Sequence, residues 1–99
     1  MRRPSPAKTR LAATRLGEHV LTWRKLQNLT AEQVCQRAVI SRPTLRKIEN
    51  GDPTVTVESL LNVLRALGRL DSVIDALDPY ETDLGRARVE QILPGRVRR

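Results

Sequence analysis

Arg42, Arg46 and Lys47 stand around Pro43 in a stretch too short for more than a couple of helical turns. On a wheel at about 100° per residue, Leu45 and Ile48 set one direction. Pro43 and Lys47 then point almost opposite, Arg46 points partly outward, and Arg42 lies on the flank near the N-terminus. Such an edge suits a polyanion. Arginine and lysine can donate to guanine O6 and N7, and the Pro43 ring, with no donor, can meet a thymine methyl. In a helix entering the major groove, the N-terminal half is the part that reaches base edges. A charge-rich face is also what an ordinary solvated helix presents, so the neighbouring elements must decide between the two.

Those elements are legible from caps and periodicity. Ser41 is an N-cap, Pro43 falls in the first turn where a missing donor costs nothing, and Asn50-Gly51 stops the helix. Before it, Thr30 caps a helix from Ala31 to about Ala38, with Gln33 completing a capping box. Val34, Cys35 and Ala38 form its inward stripe, which makes Cys35 a packing residue and not a reactive thiol. Val39 and Ile40 carry the turn, without a glycine.

A first helix is expected to begin between Arg10 and Gly17 and to run to about Asn28, with Leu16, Val20 and Trp23 on one face. A lone Trp on such a face is expected in the core, although base stacking is open to it. His19 lacks a nucleophile or second acid beside it. Glu49 sits in the last turn of its helix, where a negative charge opposes the dipole and needs a cation. Arg24 is the candidate partner, and an arginine–carboxylate pair would tie the first helix to the end of the third.

Downstream, Thr56 caps a fourth helix whose apolar face is Val57, Leu60, Leu61, Leu64 and Leu67. A fifth follows from about Leu70 to Leu77, where Leu70, Val73, Ile74 and Leu77 fit the helical template. The expected organisation is a basic, disordered arm over residues 1–10, a domain over residues 11–78, and a tail over residues 79–99. Thr82 to Leu93 could be helical or extended, and the closing LPGRVRR is basic.

The whole chain narrows the chemistry. Ninety-nine residues at formal charge +7, with an isoelectric point near 11.0, favour nucleic acid first and an acidic membrane surface second. Phe is absent, so Leu, Val, Ile and Ala must build the core. One cysteine and one histidine argue against a disulfide framework and a metal cluster. No apolar run approaches the roughly 20 residues of a membrane span, and no apolar segment follows the charged start as in a secretory signal. The cytoplasm is the expected location. No glycine-rich phosphate loop, paired catalytic carboxylates or nucleophile–histidine arrangement points to an enzyme, and no cofactor is expected.

Leu16-Gly17-Glu18 through Trp23-Arg24, Leu29-Thr30 through Ile48-Glu49-Asn50-Gly51, and Leu60-Leu61 through Ala66-Leu67-Gly68 together resemble the phage-repressor-like (Cro, XRE) helix-turn-helix regulators. The resemblance covers about Leu16 to Leu77. It implies an all-α fold, the five-helix lambda-repressor-like DNA-binding domain, here with a flexible basic arm and a C-terminal tail. It also implies base reading by Arg42, Pro43, Arg46 and Lys47, and phosphate contacts from Thr30, Ala31, Ser41, Thr44 and the backbone near Asn50. Arg24 and Glu49 match a structural ion pair of that family. The chain departs from the pattern at Ala31, where a glutamine is common, at Val39, where the turn usually has glycine, and at Asp52, where some relatives are basic. These departures bear on affinity and turn strain, not on the fold.

The length and the basic end also resemble HipB-like antitoxins, which are encoded beside a HipA-like serine/threonine kinase toxin. The implied function is a homodimeric, sequence-specific repressor on a palindromic operator that also restrains such a kinase; the alternative is a stand-alone XRE-type regulator. Val73, Ile74 and Leu77 either finish the core or make dimer contacts.

Overall fold

In the computed structural model, which describes residues 3–92, helix borders fall where caps stand. Met1, Arg2 and residues 93–99, including the LPGRVRR end, lie outside the described residues. Thr30 accepts from the Gln33 N–H at 3.1 Å and donates its own N–H to Gln33 Oε1 at 2.9 Å, opening α2 (Ala31–Ala38) with a complete capping box. Ser41 and Thr56 accept in the same manner from Thr44 and Ser59, opening α3 (Arg42–Glu49) and α4 (Val57–Ala66).

The first helix, α1 (Ala7–Leu26), starts earlier than its apolar periodicity implies. Residues 7–10, expected in a disordered arm, are helical. Ala7, Lys8, Arg10 and Leu11 are strong helix formers, and Pro6 stands at the N-cap, where it breaks nothing. At its other end Asn28 takes a φ of 57°, and the Leu29 N–H bonds the Arg24 carbonyl at 3.0 Å, a left-handed closure that asparagine tolerates.

The chain divides after Arg69 into two compact units. In the first, α1 packs against α3 and α2 against both α3 and α4. Val20, Val34, Cys35, Ala38, Leu45, Ile48, Val63 and Leu67 form its buried centre, with Leu29, Ile40, Val55 and Leu60 half-buried around them. Each fully buried Val, Leu or Ile contributes about 1.5–3 kcal/mol of transfer free energy. Two expectations about the core are corrected. Trp23 is 37% exposed, and Val57 is 70% exposed. The inward line of α1 runs through Gly17 and Val20, which are buried, and leaves Trp23 at the margin, where the Arg69 guanidinium lies 4.3 Å from its ring centre. In α4, Val63 and Leu67 lie at the centre of the inward arc and Val57 at its edge.

The second unit holds α5 (Leu70–Ala76), a 3-10 turn over Pro79–Glu81, and α6 (Asp83–Ile92). The tail after Pro79, which periodicity left open between helix and extended chain, is therefore helical over Asp83–Ile92. Asp78 accepts from the Tyr80 N–H, and Thr82 Oγ1 accepts from the Gly85 N–H at 2.9 Å. Gly85 allows α6 to close on the turn, because a Cβ there would stand 2.0 Å from the Pro79 carbonyl oxygen. Among the described residues all regular structure is helical, with six α-helices rather than five. None is long and apolar enough to cross a membrane.

Candidate nucleic-acid interface

The α2–turn–α3 segment is held from inside. Leu45 and Ile48 are 1% and 3% exposed, anchoring α3 on the core and fixing its rotation about its own axis. The turn closes through the Ile40 N–H on the Cys35 carbonyl at 3.1 Å and through the Cys35 Sγ on the Ser41 carbonyl at 3.6 Å. Burial pushes the Cys35 thiol above its ordinary value, while the nearby Arg42 charge pulls the other way. The cysteine is thus a packed group under the turn.

With that rotation fixed, Arg42, Pro43, Arg46 and Lys47 are all exposed. Among the described residues, the structure shows no ion-pair or hydrogen-bond partner for the side chains of Arg42, Arg46 and Lys47. Three unneutralised cations on one short helix form an edge able to meet a polyanion. Pro43 at the second helical position keeps the backbone there without an N–H.

Arg24 and Glu49 are brought together. Arg24 Nε lies 2.8 Å from Glu49 Oε2, its second nitrogen lies 3.3 Å from Oε1, and its third donates to the Leu29 carbonyl at 3.2 Å. Both side chains are about 15% exposed, at 15% and 14%. One guanidinium therefore joins the end of α1, the entry to α2 and the last turn of α3, and it cancels the charge that opposes the α3 dipole.

Around the cationic edge, Ala31, Arg42 and Arg46 line a hollow of about 170 Å³ together with Arg24, Leu45 and Glu49. Ala31 has no polar side chain, so at this point only first-turn backbone N–H groups of α2 are available to an anion. Ser41 and Thr44 share a hydroxyl–hydroxyl hydrogen bond of 2.9 Å at the start of α3. Asn50 is exposed at its end. Val73, Ile74 and Leu77 belong to the second unit; Val73 is half-buried, while Ile74 and Leu77 are 54% and 77% exposed.

The packing role of Gly17 is not legible in the sequence pattern that contains it. A Cβ there would stand 2.4 Å from the Ile48 carbonyl oxygen and 2.7 Å from that of Glu49, so α1 crosses the end of α3 at backbone distance. Gly51, with a φ of 80°, touches the Thr14 backbone just beyond. The available signal was a lone glycine inside a helical pattern, which marks a close approach.

The helix-turn-helix family model matches residues 20–72, just over half of the chain, from the middle of α1 into α5. No curated protein and no solved structure matches the chain.

Proposed function

The chain belongs to the helix-turn-helix family and carries a DNA-binding domain of that kind, and on that premise we propose that it is a sequence-specific transcriptional repressor acting as a homodimer on a palindromic operator. The observation that carries this reading is the α3 edge, where Arg42, Pro43, Arg46 and Lys47 are exposed while Leu45 and Ile48 are locked in the core. In this reading those exposed residues meet base edges. Thr30, Ala31, Ser41, Thr44 and Asn50 meet phosphates. A two-fold pair of α3 helices about 34 Å apart reads successive major grooves. The protein acts by binding and not by catalysis, in the cytoplasm and on the nucleoid.

The test is selection of bound duplexes from a random library, followed by anisotropy titrations with Arg46→Ala and Lys47→Ala. A base-reading residue relaxes preference at particular base pairs, each worth about 1–3 kcal/mol of discrimination. Equal weakening on all duplexes would reassign these residues to phosphates, and no enrichment of any sequence would end the repressor reading.

The second unit favours a protein partner as well. Ile74, Leu77, Leu84 and Ile92 are more than half exposed. We propose that this unit supports the homodimer, through Val73, Ile74 and Leu77, and that the partner is a HipA-like serine/threonine kinase toxin encoded beside this gene, which makes the chain an autoregulating antitoxin. Co-expression with the neighbouring kinase should give a co-eluting complex, lost when the chain ends after Asp78. Partner binding unchanged by that truncation would move the contact out of the tail, and no complex between the full chain and such a kinase would leave the stand-alone XRE-type regulator.

A further inference from the structure

The family match begins at residue 20, whereas α1 begins at Ala7. The additional helical turns are not loose. Thr14 touches Gly51 at the exit of α3, and Thr9, Ala12, Ala13 and Leu16 face Pro53 and Val55 of the following loop across an apolar groove. Arg10 lies four residues before Thr14, on nearly the same side of the helix and about 6 Å further along its axis. Its guanidinium donates to the Ser5 carbonyl, folding it back over the chain before α1. Arg3 comes to the same place. Arg3, Pro4, Ser5 and Arg10 wall a hollow of about 250 Å³ with Pro53 and Thr54, and no acidic residue lines it. The nearest acid in sequence, Asp52, has its Oδ1 occupied by the Thr54 N–H at 2.8 Å and the Thr54 hydroxyl at 2.6 Å.

We propose that Arg3 and Arg10, set beside the loop that leaves α3, form a DNA-backbone site in which their guanidinium groups hold a phosphate of the strand running past the α3 C-terminus. The extension of α1 thus lengthens the cationic edge beyond the part of the chain that the family match covers. Two arginines lining one hollow suit a phosphodiester, which offers paired acceptor oxygens to a fork of donors. The site positions the protein and carries no sequence preference of its own.

This inference rests on the DNA-binding reading, and the experiment separates the two. Binding of a fluorescent operator duplex, and of a scrambled duplex of equal length, is measured from 50 to 200 mM NaCl. The proteins are wild type, Arg3→Ala/Arg10→Ala, Arg3→Lys/Arg10→Lys and Arg46→Ala/Lys47→Ala. If each arginine neutralises one phosphate, the alanine pair should lower the log–log salt slope by about 1.8, so that wild type loses about tenfold more affinity over this range than the variant does. Both duplexes should weaken by the same factor, the lysine pair should keep most of the slope, and the melting temperature should stay put because both side chains are exposed. An unchanged slope in the alanine pair, while Arg46→Ala/Lys47→Ala weakens binding, overturns the inference alone. Loss confined to the operator duplex overturns it also, since that would be base reading. Failure of wild type to bind either duplex removes both this site and the function it extends.

Discussion

Val39 ends α2 with a φ of 57° and a ψ of 49°. For a β-branched side chain that conformation is strained, at about 1–3 kcal/mol. Val39 is also 81% exposed, so little packing offsets the strain. Val39→Gly should therefore stabilise the protein by about 1 kcal/mol, read as a rise of a few degrees in melting temperature. A lower melting temperature would show that the valine makes up its strain through contacts or through a stiffer unfolded chain. Cys35 makes a separate claim at this scale. Its buried thiol has a folded pKa raised above the ordinary 9.0, so its contribution to stability is whole below that pH and is lost as pH climbs through the folded value. Wild type should accordingly lose stability above pH 9.0 relative to Cys35→Ala, and native protein should alkylate far more slowly than urea-unfolded protein. Parallel stability curves for the two proteins across that range would contradict this account.

At the scale of elements, the orientation of α3 depends on α1. Gly17 lets the two backbones meet, and the Arg24–Glu49 pair clamps the same crossing from the C-terminal side. Gly17→Ala forces a methyl group into two carbonyls that cannot both retreat, because Ile48 anchors one side of them in the core. A loss of about 2–3 kcal/mol is expected, at the upper end of ordinary overpacking. Denaturant melts measure it, and a loss below about 0.5 kcal/mol would mean that the crossing can open cheaply. Glu49→Gln should cost about 2 kcal/mol, less than the 3–5 typical of a fully buried pair, because both partners keep some solvent contact. A double-mutant cycle with Arg24→Gln isolates the coupling, and additive losses would deny it.

For the whole molecule, the apolar cluster at the centre of the first unit runs, among the described residues, from Val20 to Leu67. A chain ended after Asp78 should thus keep the melting temperature of the full chain within a few degrees, and it should still show, by scattering-detected size exclusion, any assembly that Val73, Ile74 and Leu77 support. A collapse of the melt would place part of that unit's stability in α6. Charge also acts at this scale. A formal charge of +7 draws duplex DNA non-specifically, so affinities should fall steeply with salt for every sequence, and only the operator-to-scrambled ratio reports base reading.

Local chemistry decided what the sequence alone could determine. Thr30, Ser41 and Thr56 cap helices because a side-chain oxygen reaches an N–H only a few residues away. Leu45 and Ile48 point inward because an apolar pair at that spacing shares one face of a helix. These rules place a helix-turn-helix with a cationic second helix before any tertiary contact is known. They could not place Trp23, because periodicity marks an apolar stripe but not which part of it another helix covers. They could not find the function of Gly17, which exists only where backbones cross, and they marked Val39 as a departure from the usual turn glycine without showing that the closed turn holds it left-handed. Nor could they bring Arg3 and Arg10 beside Thr54, residues more than forty positions away along the chain and joined only through the packing of α1 over the loop that leaves α3. Tertiary structure alone decides such meetings, because caps and periodicity act over a few residues, whereas the crossing of α1 with α3 sums contacts from distant parts of the chain.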